Sequence, residues 1–236
     1  MENFTSTYGN SAADAAPQER ASFIRRTYLH LAGAILAFVG LEYLIFSSGF
    51  AETIAAAMVG TRFSWFIVLA LFMGVSYIAN KWANSQTSKA TQYFGLALSV
   101  FSYAILFVPL LFIAAYYGGG GETIVKAGII TLGLFAGLTA VVFITRKDFS
   151  FLGSILTIGG FLALAFIGAS LLFGFSLGSL FAFLMVGFAA TAILYDTSNV
   201  LHKYHPSQHV AASLALFASV ALLFWYILSI FSSSDD

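Results

Sequence analysis

Seven runs of about twenty predominantly apolar residues fill most of this chain. Each is long enough to cross the roughly 30 Å hydrocarbon layer of a bilayer as a helix. They fall at 29–48, 63–80, 93–116, 123–144, 151–174, 177–199 and 209–231. Short polar or glycine-rich connectors separate them: AETIAAAMVGTR, NKWANSQTSKATQ, GGGGE, TRKDFS and HKYHPSQ. The fifth and sixth runs meet at Gly174-Phe-Ser-Leu-Gly178, and a failed turn there would leave six spans or a re-entrant segment. Hydrocarbon offers backbone groups no hydrogen-bond partner, so the spanning elements are expected to be helices. With 60% hydrophobic residues, 8% charged ones and a mean hydropathy of +0.92, no single water-soluble core of this size could hide the apolar side chains. The fold class is therefore an all-α integral membrane protein of seven transmembrane helices, with the lipid bilayer as its first partner.

Lys and Arg set the expected orientation. Arg20, Arg25, Arg26, Lys81, Lys89, Arg146, Lys147 and Lys203 share one side if the chain alternates, against Arg62 and Lys126 on the other. That bias places the N-terminus in the cytoplasm and the C-terminus outside or in a lumen. Residues 1–22 are polar and read as a disordered cytoplasmic tail, 23–231 as the membrane domain, and 232–236 as a short acidic C-terminal tail. The polar start has no short basic n-region, so the first run reads as a signal anchor that is retained. Ten basic and ten acidic residues cancel, which argues against nucleic acid as a partner. The absence of cysteine excludes disulfides, thiolate catalysis and cysteine metal sites; together with the short loops it points to a bacterial inner membrane.

Several motifs carry alternative readings. Gly118–Gly121 lacks the Lys-Ser/Thr of a phosphate loop and reads as a flexible connector. Gly133 and Gly137 have the GxxxG spacing that favours close helix contact, and Pro109 is expected to kink the third span. His202, His205 and His209 invite a zinc reading, but Pro206 breaks their register and no acid is adjacent, so no metal and no other cofactor is expected. No nucleophile–base constellation is visible, and an enzyme is not expected.

Two carboxylates fall within spans, where charge is costly and faces a cavity or a partner. Asp196 sits toward the basic end of span six. Either it snorkels and ties down backbone with Thr197 and Ser198, or it lines a polar cavity. Glu42 sits toward the outer end of span one and either reaches the interface or lines the same pathway. A hairpin centred near 207–208 places Asp196 at the depth of Ser219. Ala211, Ala215, Ala218, Ser219 and Leu222 form a mostly small-residue stripe, away from Phe217, Phe224 and Trp225; the stripe suits a central helix as well as ordinary packing.

The stretch GFAATAILYDTSNVLHKYH, 187–205, with the span count and the short hairpin after it, resembles the signature of the Bax inhibitor-1 family. An intramembrane aspartyl protease would need a GxGD element, and a retinal protein a lysine in 209–231; neither occurs. The resemblance implies six helices around a hydrophobic seventh. It also implies calcium leak, protection from cell death or, in bacteria, restraint of a membrane-anchored protease. In leak members two aspartates, in spans six and seven, share a proton near the cytoplasmic mouth, with a basic residue of span two nearby. Asp196 matches the first aspartate, Ser219 occupies the place of the second, and Lys81 falls near the basic position. The gate and ion-pathway candidates are therefore Asp196, Ser219, Lys81 and Glu42. Two functions stay open: a calcium-leak channel, and a non-conducting regulator that binds a membrane-anchored protease or another membrane partner.

Overall fold

A computed structural model describes residues 11–85 and 88–233, with Arg62 described by its backbone alone. Residues 1–10 of the expected tail and the acidic Asp235-Asp236 end lie outside the described residues. The elements are α1 (Pro17–Ser47), α2 (Phe50–Val59), α3 (Arg62–Ala83), α4 (Lys89–Tyr116), α5 (Gly121–Thr145), α6 (Leu152–Phe173), α7 (Gly178–His202) and α8 (His209–Ser232). All but α2 are long and apolar enough to cross a membrane, and the seven expected spans are these seven.

Local chemistry sets the boundaries. Thr61 accepts the Ser64 N–H at the start of α3, and Ser88 accepts the Thr91 N–H at the start of α4. These side-chain caps satisfy donors that a helix start leaves open. Between α6 and α7, Gly174 has φ +76° and Gly178 φ +69°, so the chain reverses through left-handed backbone that glycine adopts without a Cβ clash. That turn keeps the fifth and sixth runs as two helices.

α8 is the axis of the bundle. It packs against α1, α3, α4, α5 and α7, and half of its most hydrophobic stretch is buried. A helix that is apolar all round belongs inside, and α8 is buried both on Ala211, Ala212 and Ser219 and on Leu216, Phe217 and Leu223. Phe217, expected to point away from the packed stripe, is only 2% exposed and meets Tyr103 edge to face at 5.4 Å. Phe107 of α4 stacks on Phe224 at 5.7 Å and meets Trp225 at 5.0 Å and Phe38 at 5.1 Å. Aromatic pairs of this geometry contribute about 0.5–1.5 kcal/mol each beyond the area they bury. α6 packs against α7 and α3 and buries only Ala163, turning Phe161, Phe166 and Leu172 outward.

Three expectations need correction. The connector 51–62 contains α2, a ten-residue apolar helix too short to span that packs on α4 and α3. The tail reading of 1–22 fails over its second half: α1 begins at Pro17, whose fixed φ suits a first helical turn. Ala12 is fully buried as well, donating its N–H to the Tyr204 carbonyl at 2.8 Å. The GxxxG pair is not a helix contact, since a Cβ on Gly133 or Gly137 would meet nothing within 4 Å. The close approach is at Gly95 instead, where a Cβ would lie 2.6 Å from both the Ala79 oxygen and the Ala83 nitrogen of α3.

This contrast gives a direct test. Gly95→Ala should destabilise the protein by about 1–3 kcal/mol, because backbone atoms must move apart. Gly133→Ala and Gly137→Ala should be neutral or stabilising, since alanine favours helix by up to about 1 kcal/mol. Thermal denaturation in detergent reads both.

Candidate functional site

The most extensive helix pair in the bundle is the α7–α8 hairpin, and two of the functional candidates, Asp196 and Ser219, sit on its facing surfaces. His205 starts the turn: its Nδ1 accepts the Ser207 N–H at 3.2 Å, and Gln208 Oε1 accepts the His205 N–H at 2.9 Å. This reciprocal cap over Pro206–Gln208 sets the register of the two helices. With the turn fixed there, Ser219 Oγ donates to Asp196 Oδ2 at 2.6 Å. That length is typical of a hydroxyl donating to a carboxylate. Ser219 is buried and Asp196 half-buried, about 9 Å in from the end of α7 at 1.5 Å per residue.

The three residues after Asp196 have separate tasks. Thr197 is fully buried. Ser198, also fully buried, fastens the α5–α6 connector: its Oγ accepts the Phe149 N–H at 2.9 Å and donates to Asp148 Oδ1 at 3.4 Å. Asn199 offers its carbonyl to the Lys203 and Tyr204 N–H groups, closing α7. Asp148 also accepts the Ser150 N–H at 2.8 Å. Those Ser150 hydrogen bonds, aided by His202 and Lys203, hold its carboxyl below the ordinary value of 3.8. Tyr204 closes the site toward the connector. Burial, and then the charges of Asp196 and Tyr195, push its phenol above 10.0. Because Tyr204 also receives the Ala12 N–H, the N-terminal segment lies over this end of the site.

The other candidates go elsewhere. Lys81 is exposed in the last turn of α3, where a cation complements the helix dipole. It makes no ion pair with Asp196 among the described residues, because α3 packs chiefly on α4 and leaves that turn outside the hairpin. Lys203, closest in sequence, lies 5.5 Å over the Tyr195 ring instead. Glu42 is 8% exposed, so it does not snorkel. It lies one turn beyond Phe38 in the half of the bundle away from Asp196, with neither carboxyl oxygen hydrogen-bonded. The histidines diverge: His202 Nδ1 meets the Ser198 carbonyl at 3.0 Å, His205 caps the turn, and His209 packs 5.0 Å from the His30 ring.

Sequence reasoning missed the Asp148–Ser198 link and the Ala12–Tyr204 contact. Neither leaves a local signal, since the partners lie 50 and 192 residues apart.

A family model described as "Inhibitor of apoptosis-promoting Bax1" matches residues 20–236. An uncharacterized protein of Pseudomonas aeruginosa is 31% identical over 97% of this chain and 98% of its own length. The protein named Bax inhibitor 1 of Schizosaccharomyces pombe is 28% identical over 92% of this chain and 79% of its own. A BI1-like protein of Arabidopsis thaliana is 32% identical over 49% of this chain and 47% of its own. No solved structure matches the chain significantly.

Two outcomes follow from the geometry. Ser219→Ala should cost about 1.5–3 kcal/mol, the range for a hydrogen bond to a charged group, read as a lower Tm in detergent. Because the Asp148 carboxyl is held low, its anchoring of the connector is complete above the ordinary carboxylate value and is lost as pH falls through the lowered one. Hydrogen exchange at Phe149 and Ser150 should accelerate only in that acid window, and should be fast at neutral pH in Asp148→Asn.

Proposed function

The chain belongs to the Bax inhibitor-1 family, and from that membership we propose that it is a non-enzymatic calcium-leak pathway. Its constriction is the Asp196–Ser219 bridge, at the end that faces the cytoplasm of a bacterial cell. The observation that carries this reading is the 2.6 Å bond itself. It puts the acid of α7 and the hydroxyl of α8 across one gap, where each helix can open or close on the other. The same face of α8 continues outward through Leu222, Tyr226 and Ser229. Ala182 of α7 joins them to line a cavity of about 450 Å³ in the other half of the bundle. Tyr226 lies about 10 Å along α8 from Ser219.

Calcium takes six to eight oxygen ligands in a stable site. One carboxylate and one hydroxyl therefore form a passing contact, which suits an ion that must leave as readily as it enters. Glu42 is the second carboxylate available to a cation, in the outer half; Lys81 has no part in the constriction. The excess of Lys and Arg at the Asp196 end supports the orientation, and the full-length similarity to the Pseudomonas protein supports a bacterial inner membrane.

Calcium flux into proteoliposomes between about pH 6 and 8 tests the reading. Wild type should conduct, and Asp196→Asn should lower the flux roughly tenfold, the effect of losing about 1.4 kcal/mol of ion stabilisation. Ser219→Asp should add pH dependence, since two carboxylates that close cannot both ionise easily. A wild type that matches empty liposomes at every pH would sink the leak reading. The family's other role, restraint of a membrane-anchored protease, would then lead.

A further inference from the structure

Where α1 meets α4, an open groove of about 910 Å³ runs along the outside of the bundle. That volume lies within the roughly 300–1,000 Å³ range of small-molecule sites. Its floor is made of small residues, Gly33, Ala37 and Gly40 of α1 and Ala97 of α4. No helix fills it, because a Cβ on Gly33 or Gly40 would meet nothing within 4 Å. Glycine is costly inside a helix compared with alanine, and no neighbouring protein atom explains either one.

One end of the groove is polar and basic. His30 Nδ1 donates to the Arg26 carbonyl at 2.7 Å, which leaves Nε2 of the neutral ring to accept from the Tyr93 hydroxyl at 3.2 Å. The Tyr93 oxygen in turn meets His209 Nε2 at 3.4 Å. His209 is 5% exposed and its Nδ1 is left without a partner. One helical turn further out, each wall of the groove carries an exposed cation: Arg26 four residues before His30, and Lys89 four residues before Tyr93. Neither makes an ion pair among the described residues. The titratable and charged groups that act on His209 are His30, Arg26 and Lys89, none of them acidic.

We propose that this groove binds one anionic phospholipid. Arg26 and Lys89 hold the phosphate, the hydrogen-bonded His30–Tyr93 pair forms the polar wall just below it, and an acyl chain lies along Gly33, Ala37 and Gly40. Basic pockets between membrane helices select anionic headgroups, and a guanidinium matches phosphate geometry. A second copy of the chain fits less well. A two-fold contact sets the same surface against itself, which would bring Arg26 and Lys89 of both copies to the same depth and make them repel.

The full chain, exchanged into nanodiscs of equal parts phosphatidylglycerol and phosphatidylcholine, can be released and its retained lipid read by native mass spectrometry. Wild type should retain phosphatidylglycerol over phosphatidylcholine by at least about tenfold. Arg26→Gln with Lys89→Gln should lose that preference. Gly33→Leu with Gly40→Leu should retain neither lipid while keeping wild-type helicity and elution, because both side chains project into open space. No preference in wild type, or unchanged retention in the filled variant, would overturn the proposal. So would efficient disulfide dimerisation in native membranes of Ala37→Cys, a single thiol in a chain that otherwise has none.

Discussion

The rest of the structure depends on burying α8 on every side. Five other helices pack around it and hold lipid off. Polar side chains in its middle turns must therefore find partners within the protein. Ser213 does so by sharing its one hydroxyl proton between the Thr27 carbonyl of α1 and the His209 carbonyl of its own helix. Ser219 does so through Asp196. Between membrane helices, where no hydrophobic force drives association, packing and such hydrogen bonds hold the contact. The aromatic group around Phe107 supplies the packing; the two serines tie α8 to α1 and α7.

That arrangement explains why an acid persists in so apolar a segment. Asp196 faces the one helix that cannot turn toward lipid, at a depth where α8 offers a hydroxyl. Thr197, Ser198 and Asn199 look from the sequence like one polar motif around the acid. In the fold they diverge, and Ser198 reaches the α5–α6 connector while Asn199 closes the helix. The site is thus joined to the α5–α6 connector, to the α7–α8 turn and, through Tyr204, to the N-terminal segment.

Small residues have two opposite uses in this bundle, and their spacing does not distinguish them. Gly95 allows the backbones of α3 and α4 to meet, whereas Gly133 and Gly137, in a GxxxG pattern, face outward. Gly33 and Gly40 likewise leave space that no protein atom enters. Glycine marks where something must come close. Whether that is a helix, a lipid or nothing depends on which way the helix is turned, and rotation about its axis is set by neighbours far along the chain.

Span number, the helical class, the basic end and the Asp196–Ser219 register were all legible in the sequence. They rest on run length, on charge counts and on a tight turn that fixes pairing by simple arithmetic. The α2 helix was not legible, because ten apolar residues fall below the length that marks a span. The early start of α1 and the burial of Ala12 were not legible either, since they depend on the Tyr204 carbonyl 192 residues away. Lys81 could be placed at the correct end but not on the correct side, because charge sets depth in the bilayer and says nothing of azimuth. The sequence by itself determined how many segments are long and apolar enough to cross, since transfer from water to hydrocarbon acts on each segment alone. Only the tertiary structure decided which faces meet, which leaves Glu42 buried without a partner and gives Asp196 one, because a contact between helices is a property of two segments at once.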